Sequence, residues 1–331
     1  MALPLVSVII PTYNQDSDYL RQCLESVLAQ TYTNLEIIVS DNHSTNEVPK
    51  VLAVYKDKRL RIVRPPQHLP ITPHFHWAAE QATGEYISFL CSDDWIEKEC
   101  VEALVKLIDP NPHVVMAFCN AKLWIKGKAY EQTYLKNGIF PSETEFQDYI
   151  QFKKIKGNLY GDIFRTSIYK KVGGIGNGNM TFAADKWLMI QMAAQGDVAY
   201  SERSLAVYRI DNPLRGGRIV TYINDAINLF KLLEQKYLNK VHGGIATINR
   251  EKRKMAFEYL GAIPQNLKAG DIDESQFDIA LEYIKTLTKS HIIHAICNRF
   301  EKRKKIALYN TLFYFSVKWN SAMEKVKKIF G

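Results

Sequence analysis

Gly84-Glu85-Tyr86-Ile87-Ser88-Phe89-Leu90-Cys91-Ser92-Asp93-Asp94 is the stretch whose reading decides the fold. Tyr86–Leu90 is a short, mostly apolar run, the pattern of a strand covered on both faces of a sheet. Gly84 ends a helical segment read over His74–Ala82, and two carboxylates follow the strand. Further on, Glu97–Ile108 is amphipathic and stops at Pro110, and Val114–Cys119 reads as another strand. The same alternation precedes it. Leu5–Ile10 is a β-branched run stopped by Pro11, and Tyr19–Ala29 carries Leu20, Cys23, Leu24, Val27 and Leu28 at helical spacing behind Ser17 or Asp18 as N-cap. Leu35–Ser40, Val48–Tyr55 and Leu60–Val63 then read as strand, helix and strand. Such alternation predicts an α/β fold, Rossmann-like, with a mostly parallel central sheet and helices on both faces.

Ligands of such sheets bind beyond the carboxyl ends of the strands. Three of those ends carry chemistry: Pro11-Thr12-Tyr13-Asn14, Asp41-Asn42-His43-Ser44 and Ser92-Asp93-Asp94. Asp93 and Asp94 suit a hard divalent cation, Mg²⁺ or Mn²⁺, which takes oxygen ligands and shares its sphere with phosphates. Capping of the next helix is the other explanation for two acids at this place.

Residues 125–180 are weakly patterned. Phe182–Ala194 reads as a helix with Asp185 near its start, and Val198–Ile210 as a strand. Beyond Gly216-Gly217 the pattern is helical, so the domain boundary is set there, giving domains 1–215 and 216–331. His74 and His76 are conceivable as a metal pair, but a polar helix start is the favoured reading. Gly173–Gly178 lacks dinucleotide-loop spacing and reads as a flexible loop. Trp187 and Leu188 read as core residues. Arg209, Arg215 and Arg218 stand between two readings, closure over a diphosphate and a solvated basic loop.

The chain has 331 residues, 43 Lys and Arg against 35 Asp and Glu, and a net charge of +8. Nine basic residues against two acidic ones give residues 291–331 a net +7, so the surplus belongs to the tail. Five cysteines without a CxxC pair predict reduced thiols, a cytoplasmic setting, and neither a zinc site nor a disulfide framework. The first residues lack a signal peptide's basic start, and no stretch reaches the ~18 apolar residues of a membrane span. In the tail, Leu308, Leu312, Phe315, Trp319, Met323, Val326 and Phe330 form one apolar helical stripe near several lysines. Two readings weigh equally: the stripe packs on protein, or it lies on the inner face of a membrane as a peripheral anchor. Nucleic acid is an unfavoured partner, because the aromatic residues sit apart from the charges and no recognition motif occurs.

Val6–Asn14, Glu36–Thr45, Gly84–Asp94, Ala184–Leu188 and Tyr208–Ile210 together, in this order over about 210 residues, resemble the motifs of family 2 glycosyltransferases, the inverting group with the GT-A fold. The resemblance implies a GT-A catalytic domain over 1–215 and a helical extension over 216–331. It implies that Pro11, Thr12, Tyr13, Asn14, Asp41 and Asp93 bind the donor nucleotide, Tyr13 by stacking and Asp41 by accepting the imide N–H of uracil or thymine. Asp93 and Asp94 would hold Mn²⁺ or Mg²⁺, and Asp185 would be the general base. Transfer would run from a UDP- or dTDP-sugar to a saccharide or lipid-linked saccharide, in cell-surface polysaccharide or glycan synthesis. The sequence departs from the family at Cys91, where the first acid of DxD is usual, at Ala184, where Glu is common, and at Asn42-His43, where Asp-Gly is usual. Those departures motivate the alternative, a non-catalytic nucleotide-binding module recruited by its tail.

Overall fold

The computed structural model describes residues 3–132, 136–151, 159–210, 219–269 and 273–302. The tail stripe, Arg215 and Arg218 lie outside the described residues. The chain divides into two compact units, Met1–Asn179 with Ala184–Arg215, and Met180–Ala183 with Gly216–Gly331.

The first unit runs β1 (Val6–Thr12), α1 (Ser17–Leu28), β2 (Leu35–Asp41), α2 (Val48–Ala53), β3 (Leu60–Val63), α3 (Ile71–Glu80), β4 (Tyr86–Leu90) and β5 (Trp95–Ile96). It continues with α4 (Cys100–Ile108), β6 (Val114–Ile125), β7 (Lys128–Gln132), β8 (Gly138–Phe140), α5 (Ser142–Ile150), β9 (Tyr160–Arg165), α6 (Thr166–Lys171), α7 (Ala184–Ala193) and β10 (Asp197–Arg209). The described strands form one sheet in the order β3-β2-β1-β4-β9-β6-β10-β5, with β7 on β6 and β8 on β10. β3, β2, β1 and β4 are parallel, as are β6 and β10, and β9 runs antiparallel between β4 and β6. The architecture is α/β, and the weakly patterned region 125–180 supplies the antiparallel strands β7, β8 and β9.

Both faces of the sheet are covered. On one, Val6, Val8, Ile10, Ile37, Val39 and Leu90 pack with Leu20, Leu24 and Val27 of α1, Val48 and Val51 of α2, and Val101, Leu104 and Ile108 of α4. The other carries an aromatic ladder. Phe75 of α3 stacks on Phe89, which meets Phe164 and Tyr169, and Phe164 meets Phe118, which stacks on Tyr200. Full burial of side chains of this size is the main stabilising term, about 1.5–3 kcal/mol each.

Asp16 caps α1, not Ser17 or Asp18: its Oδ1 accepts the N–H groups of Asp18 (2.9 Å) and Tyr19 (3.2 Å). The helix begins at Ser17, so the acceptor must stand one residue earlier. Gly84 is required by close approach. A Cβ there would lie 2.7 Å from the Leu5 carbonyl oxygen and 2.8 Å from the Ser7 nitrogen. Instead its N–H donates to Ser7 Oγ (2.8 Å), which in turn donates to Glu36 (2.6 Å), tying three strand starts together.

The second unit is helical: α8 (Ile219–Tyr237), α9 (Gly244–Ala269), α10 (Glu274–Leu287) and α11 (His291–Lys302). Ile223, Leu229, Phe230, Leu233, Ile248, Ile263, Phe277, Leu281 and Ile293 are buried in it. A reciprocal capping box of Asp273 and Gln276 starts α10. Asp225 Oδ2 accepts three successive backbone N–H groups, from Thr181 (2.9 Å), Phe182 (2.6 Å) and Ala183 (3.1 Å). No helix among the described residues is long and apolar enough to cross a membrane.

Candidate active site

The carboxyl ends of β1 and β2 are fastened side by side. Thr12 pairs with Asp41 in the ladder, and its carbonyl accepts the Asn42 N–H (2.9 Å). Asn14, with φ +46°, donates its N–H to Ser44 Oγ (2.9 Å) and accepts the Thr45 N–H on Oδ1 (2.8 Å). Asp41 is buried; one oxygen accepts the Ser44 N–H (2.9 Å) and the other the guanidinium of Arg64. Arg64 was not legible as a partner, because it lies 23 positions away beyond β3.

The Asn42-His43 turn keeps its shape by two devices. The Asn42 carboxamide donates to the Leu69 carbonyl (2.7 Å) and accepts the Leu69 N–H (2.9 Å). His43 takes the left-handed conformation, φ +63°, that favours glycine, and its Nε2 pairs with the Pro65 carbonyl (2.8 Å). His68 then meets the exposed Tyr13 ring at 4.6 Å between centroids.

At the end of β4, Gln15 Nε2 donates to Ser92 Oγ (3.2 Å), linking the β1 loop to the acidic turn. Asp94 Oδ1 accepts the Arg209 N–H (2.8 Å). The Arg209 side chain donates through Nε to the Asp93 carbonyl (3.0 Å) and through Nη2 to Gln22 of α1 (2.6 Å). Its guanidinium lies 3.8 Å from the centroid of Tyr19 and 5.0 Å from that of Trp95. Arg209 is therefore a buried clamp on the acidic turn and not a solvated loop residue. Cys91 Sγ and the carboxylate oxygens of Asp93 and Asp94 lie within 4.8 Å of one another. Two bonds to one ion reach at most about 4.5 Å from S to O, and about 3.6 Å at a tetrahedral angle, so these three groups stand near enough to share a small divalent cation after a slight inward shift.

Asp185 sits, half-buried, in the first turn of α7. α7 ends three residues before β10, which runs parallel to β6. Trp187 is fully buried and donates Nε1–H to Asn177 Oδ1 (2.9 Å), which also accepts from Gln191 Nε2 (3.2 Å). Gly174 packs on Tyr169, whose hydroxyl accepts the Ile175 N–H (3.2 Å). The glycine-rich segment is thus tied to α6 and α7, not a free loop.

Asp162 in β9 was missed from sequence. It is buried, with neither oxygen accepting a hydrogen bond. Burial first, then the negative fields of Cys119 and Asp185, push its carboxyl well above the ordinary range. The field of Asp185 thus reaches β9, whose first residues lie beside the end of β4, where Leu90 pairs with Tyr160 and the Leu159 carbonyl accepts the Cys91 N–H (3.2 Å).

The two histidines of α3 do not pair on a metal. His74 is buried with Nε2 at 2.8 Å from Ser40 Oγ, and desolvation pushes its imidazole down to about 4. His76 faces Glu80 (3.7 Å) and Gly176.

The chain is similar to an uncharacterized glycosyltransferase of Rickettsia felis, 28% identical over 209 residues, covering 62% of this chain and 33% of that protein. It is similar to glycosyltransferase GlyA of Streptococcus pneumoniae, 27% identical over 221 residues, covering 62% and 30%. The chain thus spans about a third of the length of these relatives. In fold it resembles residues 1–349 of Staphylococcus aureus TarS, with a TM-score of 0.64 at 18% identity over 95% of this chain and 91% of that one. The mannosyltransferase PcManGT of Pyrobaculum calidifontis, solved with GDP-Man and Mn²⁺, gives 0.57 at 17%, over 96% and 84%. The sequence model of glycosyl transferase family 2 matches residues 7–172, half of the chain and all three strand ends described above, and the chain belongs to that family.

Proposed function

We propose that the chain is an inverting glycosyltransferase that moves a sugar from a UDP- or dTDP-sugar to a hydroxyl of a saccharide or lipid-linked saccharide, in cell-surface polysaccharide or glycan synthesis. The observation that carries this reading is the fastening of three strand ends, bearing Tyr13, Asp41, Asp93 and Asp94, along one edge of the sheet. Pro11, Thr12 and Asn14 shape the floor of the nucleotide site, and Tyr13 stacks on the base. A carboxylate has about four acceptor sites. Two on Asp41 are used internally, which leaves acceptor capacity for an imide N–H. Support also comes from relatives of this fold: a TarS structure in complex with UDP-GlcNAc has a TM-score of 0.64 at 17% identity.

Asp93 and Asp94 would hold Mn²⁺ or Mg²⁺, which when bound neutralises the charge on a diphosphate leaving group. Asp185 accepts the proton of the acceptor hydroxyl while that oxygen bonds to the anomeric carbon and the bond to the diphosphate oxygen breaks. One displacement gives inversion and releases the nucleoside diphosphate. On this reading the enzyme works in the cytoplasm, where sugar nucleotides and reduced thiols coexist.

The test is a panel of UDP-, dTDP- and GDP-sugars with Mn²⁺ or Mg²⁺, read by thermal stabilisation and then by transfer. Asp185→Asn is expected to lower turnover by about 10²–10⁴-fold while keeping the UDP-induced stabilisation. Full activity in that variant removes Asp185 from the role of base. Tight nucleotide binding with no turnover on any donor–acceptor pair supports the non-catalytic module instead.

A further inference from the structure

The residue at the end of β4 where the family usually carries an acid is a cysteine, and its position is fixed from several sides. The Cys91 N–H donates to the Leu159 carbonyl (3.2 Å), and its carbonyl accepts the Asp94 N–H (3.0 Å) and the Cys23 thiol (3.6 Å). The turn is closed beyond it by Arg209 on Asp94 and Asp93. Cys23, Cys100, Cys119 and Cys297 are buried, whereas Cys91 is partly exposed. Its sulfur lies with the two carboxylates in the one group of metal-ligating side chains found among the described residues.

We propose that Cys91 is the third ligand of this centre, so that a thiolate and two carboxylates together hold a divalent cation and favour ions that accept sulfur over Mg²⁺. The inference rests on the nucleotide-sugar reading above and adds to it the identity of the metal. Thiolate selects softer cations such as Zn²⁺, Co²⁺ and Cd²⁺, whereas an all-oxygen set suits Mg²⁺. On binding, sulfur donates a lone pair to the cation and the thiol proton passes to solvent; no electron is transferred. Cys91 thereby gives the site a mixed donor set of one sulfur and two carboxylates.

The test is titration of the full chain with Co²⁺, with and without UDP, followed by absorption spectroscopy. A thiolate-to-Co²⁺ charge-transfer band in the near ultraviolet is expected, lost in Cys91→Ser and kept in Cys297→Ser. In Cys91→Asp the preference for Co²⁺ or Cd²⁺ over Mg²⁺ in supporting UDP-induced stabilisation should fall by about tenfold or more, since even outer-shell changes have effects of that size. Co²⁺ binding without the band, the band persisting in Cys91→Ser, or no Co²⁺ binding at all overturns the assignment. Failure of UDP to stabilise the protein with any cation counts against the nucleotide reading alone, because the Co²⁺ band is read without UDP.

Discussion

Asp162 shows what a single residue can cost a fold that tolerates it. Its carboxyl is 1% exposed and its oxygens accept no hydrogen bond, a condition native structures rarely keep without a use. Because burial raises its proton affinity, the folded chain keeps the proton while the unfolded chain releases it above about pH 4. Stability from this group is full below that pH and declines as pH rises toward the folded value. Asp162→Asn should remove the decline. Its gain in unfolding free energy over the parent is expected to grow from about pH 4 to pH 7, reaching on the order of 1–3 kcal/mol. A gain that stays flat with pH would show that Asp162 is ionised in the fold. Nothing in the sequence marked it, because Asp beside Gly in an unpatterned stretch reads as surface or turn. By contrast, the places of Asp41, Asp93 and Asp94 at strand ends were legible because each stands within four residues of a short apolar run that reads as a strand.

At the scale of elements, the strand buried on both faces was the most readable: β4 falls on Tyr86–Leu90 as its apolar run predicts, while β3, an exposed edge strand, also falls on Leu60–Val63 as read. β6 extends to Ile125, beyond its fully buried part, because the ladder with β7 holds residues 122–125 where burial does not. α3 starts at Ile71, three residues before its expected start, since Pro73 falls in the first turn, where a helix has no use for the missing N–H. The join between β10, α1 and the acidic turn was illegible, because it depends on Arg209 meeting groups 115 or more positions away. Arg209→Ala should destabilise the protein by about 2–4 kcal/mol, as loss of a buried, charge-assisted network does. Hydrogen exchange should rise over residues 17–22 and 92–97 and stay unchanged in β2 and β3. A uniform rise across the sheet would contradict a local clamp.

For the whole molecule, acid stability is set in part by His74, held neutral between α3 and β2. Desolvation lowers its pKa to about 4, against the opposing effects of Ser40 and Asp41. The unfolded chain takes up a proton below about pH 6.5, so this contribution is intact above that pH and is lost as pH falls toward 4, by up to about 3 kcal/mol. Urea unfolding of His74→Gln is expected to show a shallower loss of stability between pH 7 and pH 5 than the parent. An equal loss in both would assign the acid limb to other groups.

The antiparallel β9 has a consequence for how such a chain can diversify. Among the described strands it alone hydrogen-bonds to both β4, on the side of the sheet with the first three strand ends, and β6, on the side built with β10. Because β5 and the Arg209 clamp also tie β10 back to the acidic turn, the two sides are held to one another twice over, and such a chain varies most freely in the loops that leave the sheet.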